Sequence, residues 1–219
     1  MFQIVAVVLA ICSLHLTQGY STGPPLSACG DMFPHHGADA QMSAPPYVIT
    51  VDNPSYTPTD DNITVTISTT NTDHPYFQGF FLQAHSADCM SSTVARGFFV
   101  GPLDSNTQSM TCMGPISNNA VSHTSPSRKT SVTVTWRNPN GGDVYFQATI
   151  VKRRDIFWAN VQSNTVYDSS QNSTRMYSYC PARQTISVYP YGSTATNHGQ
   201  ERAVLFLAFT AQLLRHFNA

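Results

Sequence analysis

Ser131-Val132-Thr133-Val134-Thr135-Trp136, a turn at Asn138-Pro139-Asn140-Gly141-Gly142, and then Asp143-Val144-Tyr145-Phe146-Gln147-Ala148-Thr149-Ile150-Val151 decide the fold class. Val132, Val134 and Trp136 alternate with Ser and Thr, the period of two of a half-buried strand. Beyond the turn, Val144, Phe146, Ala148 and Ile150 share one face while Tyr145, Gln147 and Thr149 share the other. Two such runs around a Pro/Asn/Gly cluster read as antiparallel neighbours, a hairpin whose apolar faces need a second sheet to cover them.

The same alternation recurs on the N-terminal side. Tyr47-Val48-Ile49-Thr50-Val51 is a short strand, and Ile63, Val65 and Ile67 alternate with Thr64, Thr66 and Ser68. A third strand, Phe77-Gln78-Gly79-Phe80-Phe81-Leu82-Gln83-Ala84, is nearly continuous in hydrophobicity, and its Gly79 signals a bulge or a close backbone approach. Shorter candidates lie at 97–101, 108–112 and 120–124. Residues 53–61 have the Asn, Pro and Asp chemistry of a loop. Past Trp158 the pattern fades, so 164–192 is expected as an exposed extension, with a further edge strand at 185–189. Seven to nine short strands punctuated by turns predict an all-β, immunoglobulin-like sandwich with Trp136 in its core. A closed barrel is the alternative.

The N-terminus and the composition together lead to the expectation of a secreted chain. Met1 opens an uncharged apolar run that ends near Gly19, so residues 1–19 are expected to be a signal peptide. Charged residues make up 11% of the chain, against about 25% in ordinary domains, and the abundance of Val, Thr, Tyr and Phe favours sheet over helix. Cys12 falls in the leader. Cys29, Cys89, Cys112 and Cys180 remain, an even set without any C-x-x-C, which predicts two disulfides rather than a metal site; spacing does not choose among the three pairings. Asn62 and Asn172 head N-x-S/T sequons and are the expected glycosylation sites. At the C-terminus, 193–219 forms a polar spacer and an apolar tail at 203–214. That tail is shorter than the roughly 20 residues that span a bilayer, and it reads as a docking helix, with a GPI-attachment signal as the alternative.

The formal net charge is −1, but its distribution is uneven. Eight Asp and one base, Arg96, occur between Tyr20 and Ser127. Six bases then fall between Arg128 and Arg154, against the single acid Asp143. Arg128, Lys129, Lys152, Arg153 and Arg154 sit at the ends of the opening hairpin. Solvated strand ends are the plain reading, and an anion-binding face is the functional one.

Several motifs occur together and in order: Ser27-Ala28-Cys29-Gly30-Asp31-Met32-x-Pro34-His35-His36-Gly37, Tyr76 through Ala84, Cys112, Val121-Ser122-His123-Thr124, Val132 through Trp136, Gly142 through Thr149, and Phe157-Trp158. Over residues 20–163 the chain closely resembles the reeler (reelin N-terminal) domain, most of all the small secreted invertebrate defence proteins that consist of little else. The resemblance implies an immunoglobulin-like sandwich and a disulfide between Cys29 and Cys112. It leaves Cys89 with Cys180, a pair resting on elimination because Cys180 lies outside the matched region. The domain also occurs in spondins, reelin and ferric-chelate-reductase-like membrane proteins. In those reductases the redox chemistry belongs to other modules, so the resemblance implies no reductase activity and no cofactor here.

Catalytic signatures are missing. No Gly-x-Ser-x-Gly occurs, and Glu201 is the one Glu, so a glycosidase pair would need Asp alone. The adjacent His35 and His36 point apart on an extended segment, and His123 reads as a turn or buried hydrogen-bonding residue. Tyr145, Gln147 and Thr149 read as ordinary residues of an exposed sheet face. Nothing suggests nucleic-acid binding. The expectation is a non-catalytic, secreted innate-defence protein that binds microbial surface polysaccharides or lipopolysaccharide. An extracellular adhesion or matrix module, GPI-anchored at the cell surface, is the second hypothesis.

Overall fold

The structure, a computed structural model, describes residues 20–88 and 95–171. The expected signal peptide, Cys89, Cys180, the Asn172 sequon, the strand at 185–189 and the C-terminal tail lie outside the described residues.

In chain order the strands are β1 (Tyr47–Val51), β2 (Ser55–Tyr56), β3 (Ile63–Thr69), β4 (Gly79–Ser86), β5 (Phe98–Val100), β6 (Thr107–Met110), β7 (Ala120–His123), β8 (Ser131–Arg137), β9 (Val144–Arg153), β10 (Ile156–Gln162) and β11 (Tyr167–Asp168). Two antiparallel sheets form a sandwich. One has the order β1-β3-β8-β5 and the other β10-β9-β4-β7-β6, while β2 and β11 make a small parallel pair. The all-β sandwich expected from the alternation is therefore the fold.

The central detail of that expectation is wrong. β8 and β9 do not form a hairpin: β8 pairs with β3 and β5, and β9 pairs with β4 and β10. The turn at 138–143 carries the chain from one sheet to the other. Alternation reports which face of a strand is buried, not which strand lies beside it. Gly141 and Gly142, at φ 69° and 95°, supply the left-handed backbone the crossing requires. Asn138, buried inside the turn, donates through Nδ2 to the Gly141 carbonyl at 2.9 Å and to the Tyr56 hydroxyl at 2.8 Å. The Gly142 N–H donates to the Asp168 carboxylate at 2.7 Å.

The crossing makes the two apolar faces cover each other. Trp136 of β8 meets Phe146 of β9 across the interior, edge to face, with ring centroids 5.2 Å apart. Val132, Val134, Ile63, Val65 and Ile67 line the first sheet's inner face, and Leu82, Ala84, Ala148 and Ile150 line the second's.

Two further expectations need correction. Residues from 164 onward do not begin as an exposed extension: Val166 and Asp168 are buried and β11 pairs with β2 inside the loop at 53–61. Their polar neighbours hid two residues that pack. The outer face of β9 is not an open sheet surface either, because the N-terminal arm covers it. Asn62, by contrast, is exposed just ahead of β3, where a glycan would be sterically free.

Candidate functional site

β4 explains why the arm is needed. All eight of its residues are buried, so its two faces cannot both be served by one sandwich interior. Phe80, Leu82 and Ala84 face the main core, whereas Phe81 packs in a second cluster with Cys29, Met32, Cys112 and Ala120. The arm supplies two of its five buried residues, Cys29 and Met32. It makes a 3-10 turn at Leu26–Cys29, and the Cys29–Cys112 disulfide pins it to the sheet, the pairing the family resemblance implies.

From there the arm crosses the sheet. Gln83 donates to the Cys112 sulfur at 3.1 Å, Thr149 Oγ1 donates to the Met32 carbonyl, and Gln147 reaches the Met32 sulfur at 3.5 Å. Phe33 and His36 pack edge-on against Phe157 of β10, with centroids at 5.2 Å and 5.4 Å. The Gln41 N–H then donates to the Phe157 carbonyl at 2.8 Å.

A pocket of about 230 Å³ remains between arm and sheet. The arm contributes Tyr20, Met32, Phe33 and His36 to its wall, and the sheet contributes Gly79, Phe81, His123 and Val151. Arg153 and Arg154, both exposed, stand where the pocket meets solvent.

His123 is buried as expected. Its Nδ1 lies 3.2 Å from the Phe80 N–H and its Nε2 lies 3.1 Å from the Tyr20 carbonyl. The neutral Nε2–H tautomer satisfies both partners at once. Gly79 leaves room for the ring, since a Cβ there would come within 3.0 Å of it. The close approach anticipated at Gly79 is thus to a side chain.

Burial holds the His123 imidazole below its ordinary pKa, outweighing the opposite pull of the Phe80 and Tyr20 carbonyls, which lie 3.2 Å and 3.1 Å from Nδ1 and Nε2. Below pH about 6.5 the unfolded chain then binds more protons than the folded one, so stability rises with pH through that window and falls on acidification. Burial and, secondarily, Arg154 lower His36 in the same direction. The melting temperature is expected to drop between pH 7 and pH 5, and His123→Gln to flatten the slope; identical slopes would remove His123 from the account.

The predicted cationic residues separate into two kinds. Lys129 is buried, and its ammonium donates to the carbonyls of Gln78, Ser125 and Ser127 at 2.8–2.9 Å. It ties the Ser125–Ser127 turn to the strand approach and is not an anion site, correcting the sequence reading. A basic residue in a polar turn looks solvated until its carbonyl partners are known. Arg128 is exposed and lies 4.3 Å over the Tyr76 ring, and Lys152 Nζ lies 5.8 Å from the same ring. Lys152 also meets the Asp73 carbonyl and His74 Nδ1, each at 3.2 Å. Arg153 pairs with Asp155 at 2.8 Å, whereas Arg154 forms no ion pair with any described residue.

No three His, Cys, Asp or Glu side chains converge as metal ligands among the described residues. His35 pairs with Asp31 at 2.6 Å, His74 packs edge-on against Trp158, and His85 stacks on Tyr145.

A family model for the Reeler domain matches residues 27–174. The chain belongs to the Reeler family. Among relatives of this Reeler chain, one from Bombyx mori named "Putative defense protein" is 39% identical over 163 residues, covering 72% of this chain and 91% of that protein. One from Danio rerio named "Putative ferric-chelate reductase 1" is 40% identical over 163 residues. There the match covers 73% of this chain but only 27% of the relative. The crystal structure of the human F-spondin reeler domain matches 60% of this chain and 94% of its own, at 24% identity and a TM-score of 0.48.

Sequence reasoning found the charged rim of this Reeler domain but missed the pocket. Two signals pointed to it: the adjacent pairs Phe80-Phe81 and Phe157-Trp158 put aromatic rings on both faces of one sheet. Such a sheet must be covered twice.

Proposed function

We propose that this Reeler protein is a secreted, non-catalytic defence protein that binds anionic polymers of microbial surfaces, of the lipopolysaccharide or teichoic-acid kind. The carrying observation is the cationic end of the sandwich. Arg128 and Lys152 share the Tyr76 ring, and Arg153 and Arg154 stand exposed at the end of β9. A cation within about 6 Å of a ring face is attracted to it, so the Tyr76 ring gathers both charges in one place. The defence-named relatives support the role, because they match this chain along almost their whole length. The reductase-named relatives match it over only about a quarter of theirs, 27% and 25%.

Each exposed charge contributes on the order of 1 kcal/mol or less and is screened within about 8 Å at physiological salt. Replacing Lys152, Arg153 and Arg154 together by Ala is expected to weaken binding to immobilised lipopolysaccharide or lipoteichoic acid roughly tenfold at low salt, and to flatten its salt dependence. Binding that stays equally tight and insensitive to salt would sink the electrostatic reading.

A further inference from the structure

The geometry points to a second kind of ligand, a single alkyl chain with an anionic head, held with its chain in the pocket beneath the N-terminal arm and its head at Arg154. This goes beyond surface binding, with which it shares only the rim arginines. At about 230 Å³ the pocket lies below the roughly 300–1,000 Å³ of ordinary small-molecule sites, a size that suits one narrow chain better than a bulky sugar ring.

Its wall asks for little polarity. Met32, Phe81 and Val151 are apolar, and His123 is already satisfied by Phe80 and Tyr20. The Thr149 hydroxyl is taken by the Met32 carbonyl. A polar ligand would lose its water there without replacement, whereas an alkyl chain would lose nothing.

The rim supplies the opposite chemistry. Arg153 is engaged by Asp155 in an exposed ion pair, whereas Arg154 lines the pocket with no ion-pair partner among the described residues. Nearby, His36 Nδ1 is buried without a hydrogen-bond partner among the described residues. A carboxylate, sulfate or phosphate head at this rim would meet a charge-assisted donor while its tail stays dry.

Calorimetric titration of the full chain with saturated fatty acids of increasing length, and with the matching alcohols, tests this. Affinity for the acids is expected to rise roughly fourfold per methylene and to level off once the pocket is full. Arg154→Ala should cost about tenfold for the acid and nothing for the alcohol. Val151→Phe, which fills the pocket from the sheet side, should abolish uptake while leaving polymer binding intact. Because Val151→Phe strains a packed face, a doxyl-labelled fatty acid supplies a second reading on the unaltered chain: it should broaden the His36 and His123 imidazole resonances. Alcohols binding as tightly as acids would overturn the role of Arg154. Unchanged uptake by a folded Val151→Phe variant, or unbroadened His123 signals, would overturn the pocket. Loss of polymer binding with retained fatty-acid uptake would instead count against the surface-binding proposal alone.

Discussion

Replacing Cys29 and Cys112 together by Ala is expected to destabilise the domain by about 4.5 kcal/mol, the chain-entropy value for a loop of this size. The bridge joins residues separated by 83 positions, so its removal frees a long loop in the unfolded chain. It also frees the arm in the folded one. Met32, Phe81 and Ala120, buried in the cluster around the bridge, would exchange part of their packing for water. The Gln83 amide would lose its contact with the Cys112 sulfur. Thermal unfolding should shift down by on the order of 10 °C or more, at about 2–4 °C per kcal/mol for a domain of this size. Hydrogen exchange should separate the two effects: amides of the arm open first, while β3 and β8 keep their protection. A shift of only a degree or two, with the arm still protected, would mean that packing alone holds the arm. Fatty-acid uptake gives a second reading, since a pocket with one wall on the arm should not outlast its release.

Trp136→Ala is expected to cost about 3–5 kcal/mol, the range for truncating a buried aromatic core residue. Trp136 has no exposed surface and lies edge-on to both Tyr56 and Phe146, so its ring joins the two sheets at the crossing. Its indole N–H donates to the Arg96 carbonyl at 3.0 Å. Gly97 follows in left-handed backbone at φ 63°, where an added Cβ would lie 2.6 Å from the indole. The protein is therefore moulded to this ring from three sides. Trp136→Phe should lose less, keeping an aromatic edge for Phe146 while leaving the Arg96 carbonyl unpaired. Denaturant titration distinguishes the variants. The midpoint should fall further for Ala than for Phe with the slope unchanged, and equal midpoints would show that the hydrogen bond matters more than the ring.

The strands of this protein were legible because Val132, Val134, Trp136, Ile63, Val65 and Ile67 each alternate with Ser or Thr, and alternation is the imprint of one wet and one dry face. What alternation lacks is the identity of the neighbour. A run of Pro and Gly between two amphipathic strands fits a hairpin and an inter-sheet crossing equally well, and at 138–143 the second was true. β10 and β11 escaped for a different reason. Asn160, Gln162 and Ser163 look like surface, yet Val161 and Val166 between and beyond them are buried.

The site was half visible. Clustered bases mark a rim in any sequence, so Arg153 and Arg154 could be named in advance. Lys129 could be misassigned by the same rule, because nothing local says that three carbonyls converge on it. The pocket needed tertiary knowledge, since its walls come from the arm, β4, β7 and β9. The arm has no periodicity, and its position is set by partners distant in sequence, Cys112, Thr149 and Phe157 among them.

A lining divided in this way has an evolutionary consequence. Residues on β4, β7 and β9 answer to the sheet and are constrained by its register, but Phe33 and His36 belong to a segment that contributes no strand to either sheet. Substitutions there would alter the pocket wall without touching a strand pairing, provided the packing on Phe157 is kept. On the proposed reading of the pocket, a change of ligand preference is therefore expected to cost the strand register less when made on the short stretch ahead of β1 than when made on the sheet.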